Sequence, residues 1–123
     1  MIKKLLIAVV VLIACPVAAL LAYNIFVTYV GEVTLENQAN ESIDQATIVI
    51  CKQKFDLGNL EPGANKAAKY EVRGDSHYDV SIRFHSGRQI NSQVGYVTRG
   101  FDFNDKLIVR ADEVILESSH HLR

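Results

Sequence analysis

Two different periodicities divide this chain. From Leu5 to Val30 apolar residues follow one another almost without a break, preceded by Lys3 and Lys4, whereas from Val33 onward short half-apolar runs alternate with turn residues. The first pattern is that of a helix buried in hydrocarbon, the second that of strands with one face on a core. The chain is expected to be one membrane segment followed by one β domain.

No side chain between Leu5 and Tyr23 is charged or strongly polar, and a helix of about 20 such residues crosses a bilayer core. Asn24 and Thr28 then interrupt the run, while Tyr23, Phe26 and Tyr29 gather where aromatic rings favour the headgroup level, so the outer boundary is expected between Tyr23 and Tyr29. Pro16 lies mid-span, where its missing N–H is expected to kink the helix. Lys3 and Lys4 mark the cytoplasmic flank and Glu32 and Glu36 the other. Residues 1–30 therefore read as an anchor with a cytoplasmic N-terminus, and residues 31–117 as a domain in the periplasm or outside the cell.

Two other readings share these residues. A cleaved secretory signal would use the apolar core from Leu5 to Ala14 and the small residues Val17, Ala18 and Ala19. Leu12-Ile13-Ala14-Cys15 resembles the bacterial lipobox, which implies lipidation at Cys15, but Pro16 to Tyr23 stays apolar where a lipoprotein continues with a polar tether.

Val33 and Leu35 alternate with Glu32, Thr34 and Glu36 and give a first strand; Asn37 to Gln45 reads as a polar loop. Ala46 to Cys51 is apolar without alternation, which predicts a central strand buried on both faces. Phe55, Leu57 and Leu60 form an irregular edge run ending at Pro62-Gly63, a pair suited to a type II turn. Ala68, Tyr70 and Val72 alternate up to a turn at Gly74-Asp75. The clearest strand is Tyr78 to Phe84, with Tyr78, Val80, Ile82 and Phe84 on one face. Gln89 to Thr98 follows, with Gly95 as a bulge or close-approach site, then Phe101 and Phe103 up to a turn at Asn104-Asp105. Leu107 to Val109 and Val114 to Leu116 close the domain, and Glu117 to Arg123 reads as a polar tail, set apart as residues 118–123.

Seven or eight short strands, with no helical period after the span, predict an antiparallel β-sandwich, and an immunoglobulin-like Greek key is the leading topology. A small open barrel gives the same pattern. The cysteine and tryptophan marks of antibody domains are missing, and no motif ties the chain to a particular family.

About 90 residues beyond the span suffice for one core. Setting aside Lys3 and Lys4, eleven basic residues face fourteen acidic ones, which gives a net charge of about −3 and no basic stripe for nucleic acid. A negative domain is expected to stand off an anionic lipid surface. Cys15 and Cys51 lie in different environments and cannot bridge within the chain; Cys51, beside Ile48, Val49 and Ile50, is expected in the core.

Candidate chemistry is sparse. Arg73-Gly74-Asp75-Ser76 spells a tripeptide known from integrin ligands and Asn40-Glu41-Ser42 a glycosylation acceptor, but ordinary turn composition produces both. His77 and His85 are separated by eight strand residues, about 27 Å, too far to share a metal. His120 and His121 lack further ligands at zinc spacing. Asp102, Asn104 and Asp105 crowd one segment as calcium candidates, and Asp75 and Asp79 are the carboxylates nearest an acid–base pair. No phosphate loop, nucleophile elbow or metal-ligand helix occurs, so neither enzyme activity nor a cofactor is expected.

Binding remains. The expectation is a membrane-anchored module that recognises a protein or envelope component through loops or an edge strand, with Phe55, Leu57, Tyr96, Arg99, Phe101 and Phe103 as candidate contacts. A periplasmic immunity-type protein fits the same layout. The structural alternative is an accessory subunit that assembles through Ala14, Ala18 and Ala22, spaced four apart on one helix face.

Overall fold

The unbroken apolar run forms one helix, α1 (Ile2–Phe26), which stays helical through Pro16. Its Ile2–Tyr23 stretch is long and apolar enough to cross a membrane. This is a computed structural model, and it describes residues 1–122, with the side chains of 24–26 and 118–122 excepted. Eight strands follow: β1 (Tyr29–Asn37), β2 (Ile43–Ile50), β3 (Gln53–Leu60), β4 (Asn65–Val72), β5 (Ser76–Phe84), β6 (Gln89–Val97), β7 (Asp102–Val109) and β8 (Val114–Leu122).

They make two four-stranded sheets, ordered β4-β1-β7-β8 and β3-β2-β5-β6. Every pairing is antiparallel except β1 with β7, which run parallel from Gly31↔Phe103 to Asn37↔Val109. The architecture is a β-sandwich. An immunoglobulin constant domain keeps its first two strands together in one sheet; here β1 and β2 lie in different sheets, and β1 sits between β4 and β7.

Alternation fills the space between the sheets. Tyr78, Val80, Ile82 and Phe84 of β5 are all buried, against Val33 and Leu35 of β1, Ile48 and Ile50 of β2, and Leu107 and Val109 of β7 within one apolar cluster. Each fully buried large side chain of this kind contributes about 1.5–3 kcal/mol. Cys51 is buried in the same cluster, as its neighbours predict.

Three expectations need correction. Strand β2 is central but buried on one face only, because Thr47 and Val49 point to an outer surface that no third layer covers. The turn predicted at Asn104-Asp105 does not form: β7 runs straight through, and the carboxylate that suggested a turn is received inside the core by a tyrosine hydroxyl. The expected tail from Glu117 is the second half of β8, paired with β7 down to Asp102↔Leu122; Arg123 lies outside the described residues. Backbone pairing holds this segment as a strand although its side chains show no apolar alternation.

Two turns fix the hairpin geometry. Ala64 N–H bonds to Glu61 O at 2.9 Å around Pro62-Gly63, with Gly63 at φ 84°, the type II turn the sequence predicts. Cys51 and Lys52 join β2 to β3 with φ of 48° and 60°, a two-residue connection of the I′ kind made without the usual Asn-Gly.

The connections sort to two ends. At the end where α1 enters lie residues 27–28, 51–52, 73–75 and 98–101; at the far end lie 38–42, 61–64, 85–88 and 110–113. The far end is latched by Asn37, fully buried, whose Nδ2 donates to Glu41 O (2.9 Å) and Leu60 O (3.1 Å) while its Oδ1 accepts from Ala39 N–H (3.0 Å). Glu41 in turn accepts from Ser86 N–H at 2.8 Å and pairs with Arg88 at 3.3 Å. The Ser86 hydroxyl and N–H, ahead of Arg88, hold the Glu41 carboxyl below its usual range.

Candidate functional site

A two-sheet sandwich exposes four edge strands, here β3 and β6 in one sheet and β4 and β8 in the other. Unpaired backbone groups on such edges invite a further strand, and charged side chains, proline and bulges are the usual deterrents. The edges differ sharply in this respect.

On the β3/β4 side the two edges bond to each other through side chains. The Gln53 amide donates to Glu71 O at 2.8 Å and accepts from Glu71 N–H at 3.2 Å, and Lys66 Nζ donates to Leu57 O at 2.8 Å. Lys54, Lys66, Lys69, Asp56 and Glu71 add charge to this side, and β8 carries Glu117. Strand β6, Gln-Ile-Asn-Ser-Gln-Val-Gly-Tyr-Val, has neither a charged residue nor a proline. It is the one edge of the four without charge.

Gly95 shapes the lower end of β6. Its φ is 71°, and the β5–β6 register shifts between Ser76↔Val97 and Tyr78↔Val94, so the glycine sits in a bulge. A Cβ there would lie 3.0 Å from the Tyr78 ring, which makes Gly95 a close-approach site as well. The extra residue resets the alternation: Val97 turns into the core, and Tyr96 turns outward, 60% exposed. Above the bulge Gln89, Asn91 and Gln93 face out and line, with Ser81, Arg83 and Thr47, open troughs on the outer face of the sheet, the larger about 410 Å³.

The six candidate contacts divide accordingly. Tyr96, Arg99 and Phe101 are exposed, at the lower end of β6 and in the loop after it. Phe55 and Leu57 are half-buried and pack against the core, and Phe103 is buried within it. Phe103 is therefore core, the first inward residue of β7. Leu116, on the neighbouring edge β8, adds apolar surface that sequence reasoning passed over.

Behind this edge a polar chain crosses the core. The Tyr78 hydroxyl on β5 donates to Asp105 Oδ2 on β7 at 2.5 Å, and since that uses its one proton, Tyr70 on β4 donates to Tyr78 Oη at 2.6 Å. The rings meet edge to face, 6.0 Å between centroids. Burial, then the bond to Asp105, pushes the Tyr78 hydroxyl far up from its ordinary value; burial pushes Tyr70 up to about 12. Asp105 Oδ1 is buried with no hydrogen-bond partner.

The other candidates do not converge. Asp102 accepts from Val30 N–H at 2.9 Å, Asn104 faces outward and Asp105 inward, as alternation along a strand requires, so no calcium cradle forms. Among the described residues no group of three His, Cys, Asp or Glu could hold a metal. His77 pairs with Asp79 at 3.2 Å and His85 with Asp44 at 3.1 Å, at opposite ends of β5. Asp75 accepts from the Thr98 hydroxyl at 2.7 Å, and Arg73 pairs with Glu71 at 3.1 Å, so the Arg73-Gly74-Asp75 tip is tied down at the helix end. Asn40 is exposed in the far-end loop. The side chains of His120 and His121 lie outside the described residues. Cys15 is exposed on α1, on the same helix as Ala14, Ala18 and Ala22.

No protein-family model and no curated protein sequence matches this chain. A solved structure does: an NMR structure of a protein from Eubacterium rectale superposes with a TM-score of 0.55 over 72% of this chain and 85% of its own, at 14% identity. The likeness supports the fold.

Proposed function

We propose that this protein is a single-pass membrane protein whose N-terminus is cytoplasmic and whose β-sandwich, in the periplasm or outside the cell, binds an extended segment of a protein partner along β6. The observation that carries this is the contrast between edges: β3 and β4 are bonded across and charged, whereas β6 offers nine residues without charge or proline. Adding a strand there would satisfy its outer backbone groups and lay the incoming side chains beside Gln89, Asn91 and Gln93. Tyr96 supplies an exposed aromatic anchor where the bulge interrupts regular pairing. The role is recognition rather than catalysis.

Photo-crosslinking in the native membrane tests this. With a photoreactive residue at Asn91 or Tyr96, a discrete protein adduct is expected, and with the same residue at Lys69 on β4, none. Adducts from Lys69 alone would overturn the assignment. Tyr96→Lys should remove the adduct while leaving the fold intact, since the ring is exposed.

A further inference from the structure

We infer that the helix-side end of the sandwich rests on the lipid surface that holds α1, with Phe101 in the headgroup layer and Lys52, Arg73 and Arg99 against lipid phosphate. The inference rests on the membrane-anchor reading and goes beyond it, because an anchored domain can also stand clear of its membrane.

Reach is the first argument. Only Val27 and Thr28 separate α1 from β1, and three Cα steps span at most about 11 Å. The membrane-crossing stretch ends at Tyr23, three residues or about 4.5 Å of helix before Phe26. Tyr29 therefore stays within roughly 15 Å of the hydrocarbon, and the headgroup layer itself is about 5–7 Å deep. Tyr29 pairs with Val72, immediately before the 73–75 loop, and Gly31 with Phe103, two residues past the end of the 98–101 loop. These loops share the constraint.

Charge is the second. The loops at this end carry Lys52, Arg73 and Arg99 against Asp75, with Glu71 at the end of β4 pairing with Arg73, whereas those at the far end carry Arg88 and Arg110 against Glu41, Glu61, Asp112 and Glu113. The domain is negative as a whole, yet it presents a positive end to the side from which α1 emerges, the orientation an anionic lipid surface favours. Its exposed apolar side chains outside α1 include Val30 and Phe101 at this same end, 53% and 43% exposed. Aromatic rings so placed favour the interface. The Arg73-Gly74-Asp75 tip then faces lipid and is unavailable to an adhesion receptor.

The chain contains no tryptophan, so a single introduced one reports alone. In full-length protein reconstituted into vesicles of mixed zwitterionic and anionic phospholipid brominated along the acyl chain, Phe101→Trp should lose emission to the bromine, as Tyr23→Trp does, while Glu113→Trp at the far end should not. Lys52→Glu with Arg99→Glu should relieve quenching of the Phe101→Trp reporter, more at high anionic content. Quenching at Tyr23→Trp but none at Phe101→Trp would overturn the inference and leave the anchor standing. No quenching at Tyr23→Trp would overturn the anchor reading and the inference together.

Discussion

Tyr78 and Asp105 lie on different sheets, and the 2.5 Å bond between them is a polar tie through the middle of an otherwise apolar core. Losing the hydroxyl would leave a buried carboxylate without its donor, since its second oxygen already lacks one. Tyr78→Phe should therefore cost about 2–3 kcal/mol, read as a fall in the denaturant midpoint. Adding Asp105→Leu should recover part of the loss, because it removes the unmet carboxylate, while the buried Tyr70 hydroxyl still lacks its Tyr78 acceptor.

The same chain predicts alkaline lability. A tyrosine whose pKa is raised on folding keeps its proton longer in the folded state, so its stabilisation is whole below the unfolded value near pH 10. It drains away as pH climbs from there toward about 12, the value for Tyr70, and Tyr78 follows the same sign. Each group contributes a slope of about 1.4 kcal/mol per pH unit. Tyrosinate absorbance should show Tyr70 and Tyr78 ionising only as the fold is lost.

Gly31 is where β1 passes the Tyr70 ring: a Cβ there would lie 2.2 Å from Tyr70 Cζ. The ring is buried and tied to Tyr78, so it cannot swing aside freely. Gly31→Ala should destabilise by about 1–3 kcal/mol and bring the Tyr70 titration toward that of an exposed tyrosine.

Lys52 holds φ of 60° in the hairpin turn, a conformation that glycine adopts without strain. Lys52→Gly should stabilise the domain by about 1 kcal/mol, measurable by thermal unfolding. Cys51 shares the turn, but its N–H donates to the Ser76 hydroxyl at 3.0 Å, which ties the conformation to the neighbouring loop.

Much of this was legible in the sequence. Alternation located β5 and its buried face, Pro62-Gly63 its turn, and Gly95 both the bulge and the close approach. The sequence misled where a polar residue is satisfied by something distant along the chain: Asp105 reads as a turn former until Tyr78, 27 residues away, is seen to receive it. Likewise Cys51-Lys52 carries no turn signal, and β8 shows no alternation beyond Leu116. The charge of the helix-side end was hidden for a different reason. An average over the chain cannot show which loops share an end, and only the strand order brings Lys52, Arg73 and Arg99 together. The contrast between edges was equally out of reach, since it depends on knowing which strands lack a neighbour.

Hydrogen exchange along β6 tests the central claim most directly, with the protein measured in its native membrane and again after purification in detergent. If a partner strand adds to this edge, amides of Gln89 to Val97 should exchange markedly more slowly in the native membrane, while those of β4 from Asn65 to Val72 exchange alike in both. Equal exchange along β6 in the two settings, or slowing confined to β4, would contradict recognition through this edge.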